Sequence, residues 1–149
     1  MNFCEGVSIN PNAIIDNGGG TISDYLWTTT GGSPASSNAA TPGSITYDAD
    51  GSYTVTLAVT NECGTATDSE SFTVESAPDI SIVSNIVNSS ICAGNDIQLT
   101  ASGAINYNWN FDASLNTTSG NTVIAAPSAS TVYTVNGTSP AGCPGSQTI

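Results

Sequence analysis

The sequence predicts an all-β chain folded as two tandem β-sandwich domains, and three observations carry that reading. The first is an internal repeat. Tyr53-Thr54-Val55 stands ten residues before Cys63, and Tyr133-Thr134-Val135 stands ten residues before Cys143. Upstream, Tyr25-Leu26-Trp27 matches Tyr107-Asn108-Trp109, an offset of 82 residues between the tryptophans against 80 between the cysteines. Two copies of a unit of about 80 residues account for both offsets. The second observation is strict two-residue alternation of apolar and polar side chains, which places one set on a buried sheet face and the other in water. The third is composition. Ser, Thr, Asn and Gly make up 71 of 149 residues, yet 38% of the chain is hydrophobic and its aromatics fall inside the alternating runs. That pattern is foldable and rich in strand formers.

The elements follow in order. Tyr25-Leu26-Trp27 is an early strand of copy one. Asn17-Gly18-Gly19-Gly20 and the stretch from Gly31 to Gly43 read as loops, and Asp50-Gly51 and Asn61-Glu62-Cys63-Gly64 as turns. Between those turns, Tyr53, Val55, Leu57 and Val59 alternate with Thr54, Thr56, Ala58 and Thr60, and Phe72 and Val74 form a further inward row. In copy two, Ile97, Leu99 and Ala101 form one inward row, and Tyr107, Trp109 and Phe111 another. Asn106, Asn108 and Asn110 face outward. No segment shows helical periodicity. Pro78 ends one pattern before Ile80-Ser81-Ile82-Val83, so the domains are expected at 1–76 and 79–149 with a short, stiff linker at Ser76–Asp79. The first strand of copy one and the last strand of copy two both read as cut short.

Domains this small bury little surface, about 61% of the extended chain against about 68% for one globule, and often need covalent staples. Cys4, Cys63, Cys92 and Cys143 can supply them. Three pairings are open, and one bridge per copy, Cys4–Cys63 and Cys92–Cys143, is preferred. Such bridges would tie strand ends that share a pole, on the expectation that the Ile97 and Tyr133 strands run oppositely. Each would contribute about 4 kcal/mol on the loop-entropy model. Disulfides point to an oxidising compartment outside the cytosol. The wide spacing lacks the paired C-x2-4-C of a zinc site.

Short strands, an early Trp and a late Tyr outline an immunoglobulin-like sandwich. Copy one, through Tyr25-Leu26-Trp27, Ile45-Thr46-Tyr47 and the run Gly51 to Asn61, resembles a polycystic-kidney-disease (PKD) type domain. It departs from the family's W-D-F-G-D-G run, since Thr28-Thr29-Thr30-Gly31-Gly32 follows Trp27. Copy two is similar to Ig-like repeats of secreted Bacteroidetes proteins. Ile91-Cys92-Ala93-Gly94, Gln98 to Gly103, Tyr107-Asn108-Trp109, Thr131 to Val135 and Ala141-Gly142-Cys143 carry that similarity. The resemblance implies an extracellular, cell-surface location, type IX export, and kinship with repeats of large gliding-motility adhesins and with spacers of secreted enzymes.

Charge narrows function further. The chain has no Lys, Arg or His and 12 acidic residues, a net charge of −12. It cannot neutralise phosphates, so nucleic acid is excluded as a partner, and anionic membrane surfaces are disfavoured. No stretch reaches the ~20 apolar residues of a span, so no membrane insertion is expected. Without His or Lys, nucleophile–base pairs are not available, and no enzyme activity is expected. Asp48-Ala49-Asp50-Gly51 begins like an oxygen-ligand loop but lacks the later ligands. Asp48 and Asp50 are therefore weak candidates for Ca2+, and no other cofactor is expected.

Tyr25, Trp27, Tyr53, Tyr107, Trp109 and Tyr133 are assigned to the cores rather than to sugar stacking. The expected role is a structural and adhesive stalk segment, with neighbouring repeats as partners and a surface polysaccharide or protein as a further one. The alternative is a glycan-binding module, Ca2+-dependent or not, or a spacer of a secreted enzyme.

Overall fold

In the computed structural model, which describes residues 2–149 (Ser89 through its backbone), the chain divides into two compact units, Met1–Ser76 and Ala77–Ile149. The all-β reading holds, since thirteen strands and one short 3-10 turn, Val87–Ser89, make up its regular structure among the described residues.

Unit one contains β1 (Asn2–Cys4), β2 (Val7–Ile9), β3 (Ile22–Thr29), β4 (Ser36–Ser37), β5 (Ile45–Tyr47), β6 (Gly51–Asn61) and β7 (Gly64–Glu75). Five strands form one sheet in the order β1-β7-β6-β3-β4, and β2 pairs with β5 in a second. The long β6–β7 hairpin is the frame, paired from Gly51↔Val74 to Asn61↔Gly64. Its turn is set locally. Cys63 N–H donates to Asn61 Oδ1 at 2.9 Å, and Gly64 follows with φ +134°, which residues with a Cβ rarely adopt. The alternation expected for β6 buries Val55 and Leu57. Ile45 and Tyr47 of β5 and Phe72 and Val74 of β7 complete the core with Trp27. Two aromatic pairs pack edge-on, Tyr47–Phe72 with centroids 5.0 Å apart and Phe3–Phe72 with centroids 5.6 Å apart. Gly32 is obligatory for space, because a Cβ there would sit 2.6 Å from Ile45 Cγ2.

Unit two contains β8 (Ser81–Ser84), β9 (Ile97–Ser102), β10 (Asn106–Trp109), β11 (Thr122–Ala125), β12 (Thr134–Thr138) and β13 (Pro144–Thr148). Two three-stranded sheets, β11-β9-β8 and β10-β12-β13, enclose a core of Ile80, Ile97, Leu99, Ala101, Trp109, Val123, Ala125, Tyr133 and Val135. Gly103 takes φ +99° at a crossing where a Cβ would run into the Asp79 carbonyl.

Three expectations fail. Phe111 is exposed rather than inward, because β10 stops at Trp109 and the row does not reach it. The loop from Gly31 to Gly43 holds the two-residue strand β4, too short to show a period. The bridges are also arranged differently. Cys4 and Cys143 are disulfide-bonded, whereas Cys63 and Cys92 are free and exposed, so neither Cys4–Cys63 nor Cys92–Cys143 forms.

Geometry explains this last correction. Cys4 lies beside Glu75 at one end of β7, and Cys63 sits in the turn at the other. Eleven strand residues separate those ends by about 36 Å, whereas a disulfide needs Cα atoms within about 7 Å. In unit two, Ile91 and Ala93, flanking Cys92, line a groove with Ile97, Tyr133 and Ile149. Cys143 stands at the far end of β13, where its carbonyl accepts from Ser139 N–H at 2.9 Å. The expectation of a shared pole assumed opposed strands. Instead β9 and β12 run the same way, with their starts sharing that groove and Gly137 of β12 packing on Ala104 just past β9.

Candidate functional site

The two tryptophans occupy matched places. Trp27 is 3% exposed and Trp109 2%. Each indole N–H is tied inward, Trp27 Nε1 donating to Ala39 O at 3.1 Å and Trp109 Nε1 to Gly120 O at 3.0 Å. Neither ring face is open for a sugar. Tyr133 is buried, and Tyr25, Tyr53 and Tyr107 are half-buried against the two cores.

Asp48 and Asp50 lie exposed in the loop between β5 and β6. The Asp50 N–H donates to Glu5 Oε1 at 3.2 Å, and Tyr53 OH donates to Ala49 O at 2.9 Å, so the segment is a stitched turn. Among the described residues, no three His, Cys, Asp or Glu side chains gather closely enough to hold a metal ion.

Of the outward amides, Asn106 in β10 and Asn110 just past it are engaged with the neighbouring strand. Asn106 Nδ2 donates to Thr138 Oγ1 at 2.8 Å, its Oδ1 accepts from Thr138 N–H at 3.1 Å, and Asn136 Nδ2 donates to Asn110 Oδ1 at 2.9 Å. These bonds spend donors that a glycan would otherwise use.

A feature the sequence reading missed is a hydroxyl relay in unit two. Ser114 Oγ donates to Asp112 Oδ1 at 2.5 Å, and Tyr133 OH lies 2.6 Å from Ser114 Oγ. Ser114 has one hydroxyl proton and gives it to the carboxylate, so Tyr133 is the donor in the second bond. The Ser114 hydroxyl and then its backbone N–H hold the Asp112 carboxyl below the usual carboxylate range. The Asp-x-Ser spacing was its one visible sign. Also missed was a groove of about 630 Å3 in unit one, floored by Trp27, Val55, Leu57 and Phe72 and rimmed by Asp68 and Glu70. The segment Asn10–Ile14 walls it, with Ile14 fully exposed.

The family model for the PKD domain matches residues 1–76. No curated protein matches the chain. Among solved structures, the fibronectin(III)-like modules of Clostridium thermocellum CbhA are similar at 12% identity, covering 99% of this chain and 85% of theirs with a TM-score of 0.42. The amphioxus IgVJ-C2 molecule is similar at 10% identity, covering 100% and 98%, TM-score 0.38. Bacteroides ovatus SGBP-B, solved with a mixed-linkage heptasaccharide, is similar at 12% identity, covering 99% and 41%, TM-score 0.32.

Proposed function

Because this chain belongs to the PKD domain family, we propose that it is a structural and adhesive repeat segment, a stalk piece of a long extracellular cell-surface adhesin. The observation that supports this is the direction of the terminal strands in each unit. In unit one the first strand, β1, pairs in parallel with the last, β7, over Asn2↔Thr73, Phe3↔Val74 and Cys4↔Glu75. With the cysteines reduced, tension on the two ends of the unit loads that ladder in shear, so its bonds resist together instead of opening one at a time. In unit two, β8 and β13 also run the same way. Pro78 packs on Gly145 near the start of β13, and Ile149, four residues further on and just past that strand, bonds to Tyr133. Entry and exit thus lie at opposite poles, as a unit that adds its length to an array requires.

Buried, internally bonded tryptophans and the absence of His, Lys and Arg support a mechanical role over sugar recognition or catalysis. Neighbouring repeats are the proposed partners, and gliding-motility proteins of Bacteroidetes with type IX export are the proposed setting. The test is a polysaccharide and glycan panel run with Ca2+ and again with EDTA. The stalk reading predicts no saturable binding in either arm. Saturable binding lost in EDTA would replace it with Ca2+-dependent recognition through the loop carboxylates.

A further inference from the structure

Strand β7 is twelve residues long, and β6 pairs with it from Gly64 to Val74. On its other side β1 covers only Thr73–Glu75. Residues Gly64 to Ser71 therefore present a sheet edge with no partner among the described residues, and all eight are exposed. At about 3.3 Å per residue that edge is roughly 26 Å long.

The direction of its backbone groups follows from one bond. Glu5 N–H donates to Glu75 O across the β1 side. Strand alternation then turns the N–H and C=O of Thr65, Thr67, Ser69 and Ser71 outward along the same edge. Ser69 agrees, since its N–H is taken by Asp68 Oδ1 at 2.9 Å rather than by β6. An edge of this kind is a template for strand addition.

The neighbouring chemistry selects the strand. Asp68 and Glu70 pair across from Leu57 and Val55 and so share the core-facing side of β7. They rim the apolar groove that the small β2–β5 sheet leaves open. The chain carries −12 and no Lys or Arg, so a second copy would bring only like charge to this edge.

We propose that the free edge of β7, Thr65 to Ser71, takes up an extended segment of another protein that carries Lys or Arg in alternate positions. Its backbone bonds to the outward groups of Thr65, Thr67, Ser69 and Ser71. Its cations lie beside Asp68 and Glu70, drawing Asp68 off the Ser69 N–H, and an apolar residue of the same face enters the groove over Phe72. This goes beyond the stalk reading and stands without it.

The test uses the full chain labelled with 15N and the acetylated, amidated peptide Thr-Lys-Thr-Lys-Thr-Val-Thr. One control replaces both Lys by Glu. A second is N-methylated at alternate residues, which keeps the charge and removes the edge-facing N–H groups. The expected result is saturable amide shifts confined to residues 64–72, with a Kd below about 1 mM. Both controls lose the shifts, and the D68N/E70Q chain, with an unchanged spectrum elsewhere, binds about tenfold more weakly. Equal binding of the N-methylated peptide, shifts spread over every carboxylate loop, or no shift at 1 mM peptide would each overturn the proposal.

Discussion

Two tyrosines show how differently one side chain behaves in the two units. Tyr47 is fully buried, and among the described residues its hydroxyl has no hydrogen-bond partner. Tyr107 OH donates to Ala104 O at 2.8 Å and accepts from Ala104 N–H at 2.9 Å. A buried unpaired hydroxyl costs about 1–3 kcal/mol, and a made bond contributes about 1 kcal/mol net. Tyr47→Phe should therefore leave unit one as stable or up to about 1–3 kcal/mol more stable. Tyr107→Phe should cost unit two about 1–2 kcal/mol, both read from urea unfolding. Burial, and secondarily the charge of Tyr53, raises the Tyr47 pKa above its ordinary 10.0. Above pH 10 the unfolded chain releases a proton that the folded chain keeps, so stability falls as pH rises there. Tyr47→Phe removes that fall.

At the scale of elements, the inward rows were legible because a two-residue period is a local property. Val55, Leu57, Ile97, Leu99 and Ala101 are buried as their alternation requires. What a local pattern does not carry is the relative direction of distant strands. A Cys92–Cys143 bridge requires β9 and β12 to run oppositely, and it fails because they run together. Native alkylation should therefore label Cys63 and Cys92 and spare Cys4 and Cys143, with all four labelled after reduction. Peptide mapping that finds Cys63 or Cys92 protected in the native chain would contradict this. Nor was the bare edge of β7 legible, since it depends on β1 covering three residues and no more. Amide hydrogen exchange should alternate along that strand. Thr65, Thr67 and Ser71 should exchange fast, and Ala66, Asp68 and Glu70, bonded to β6, slowly.

For the whole molecule, charge and connectivity matter more than any site. With no cationic side chain, no carboxylate gains a side-chain ion pair on folding. Asp112 is held below its ordinary 3.8 by Ser114. Its stabilising contribution is present above 3.8 and lost as pH falls through the lower folded value. Stability should thus change little from pH 7 to 4 and drop below that. A steep loss above pH 4 in a pH series of urea melts would contradict it. Composition made this charge argument legible from the start, whereas the mechanical reading needed strand directions. That reading is tested most directly by pulling the chain from its two ends with the cysteines reduced. The account predicts two separate unfolding events, each releasing roughly 250 Å of chain at about 3.6 Å per residue, the unit-one event set by shear of β1 against β7. Featureless extension at low force, or one merged event, would contradict it.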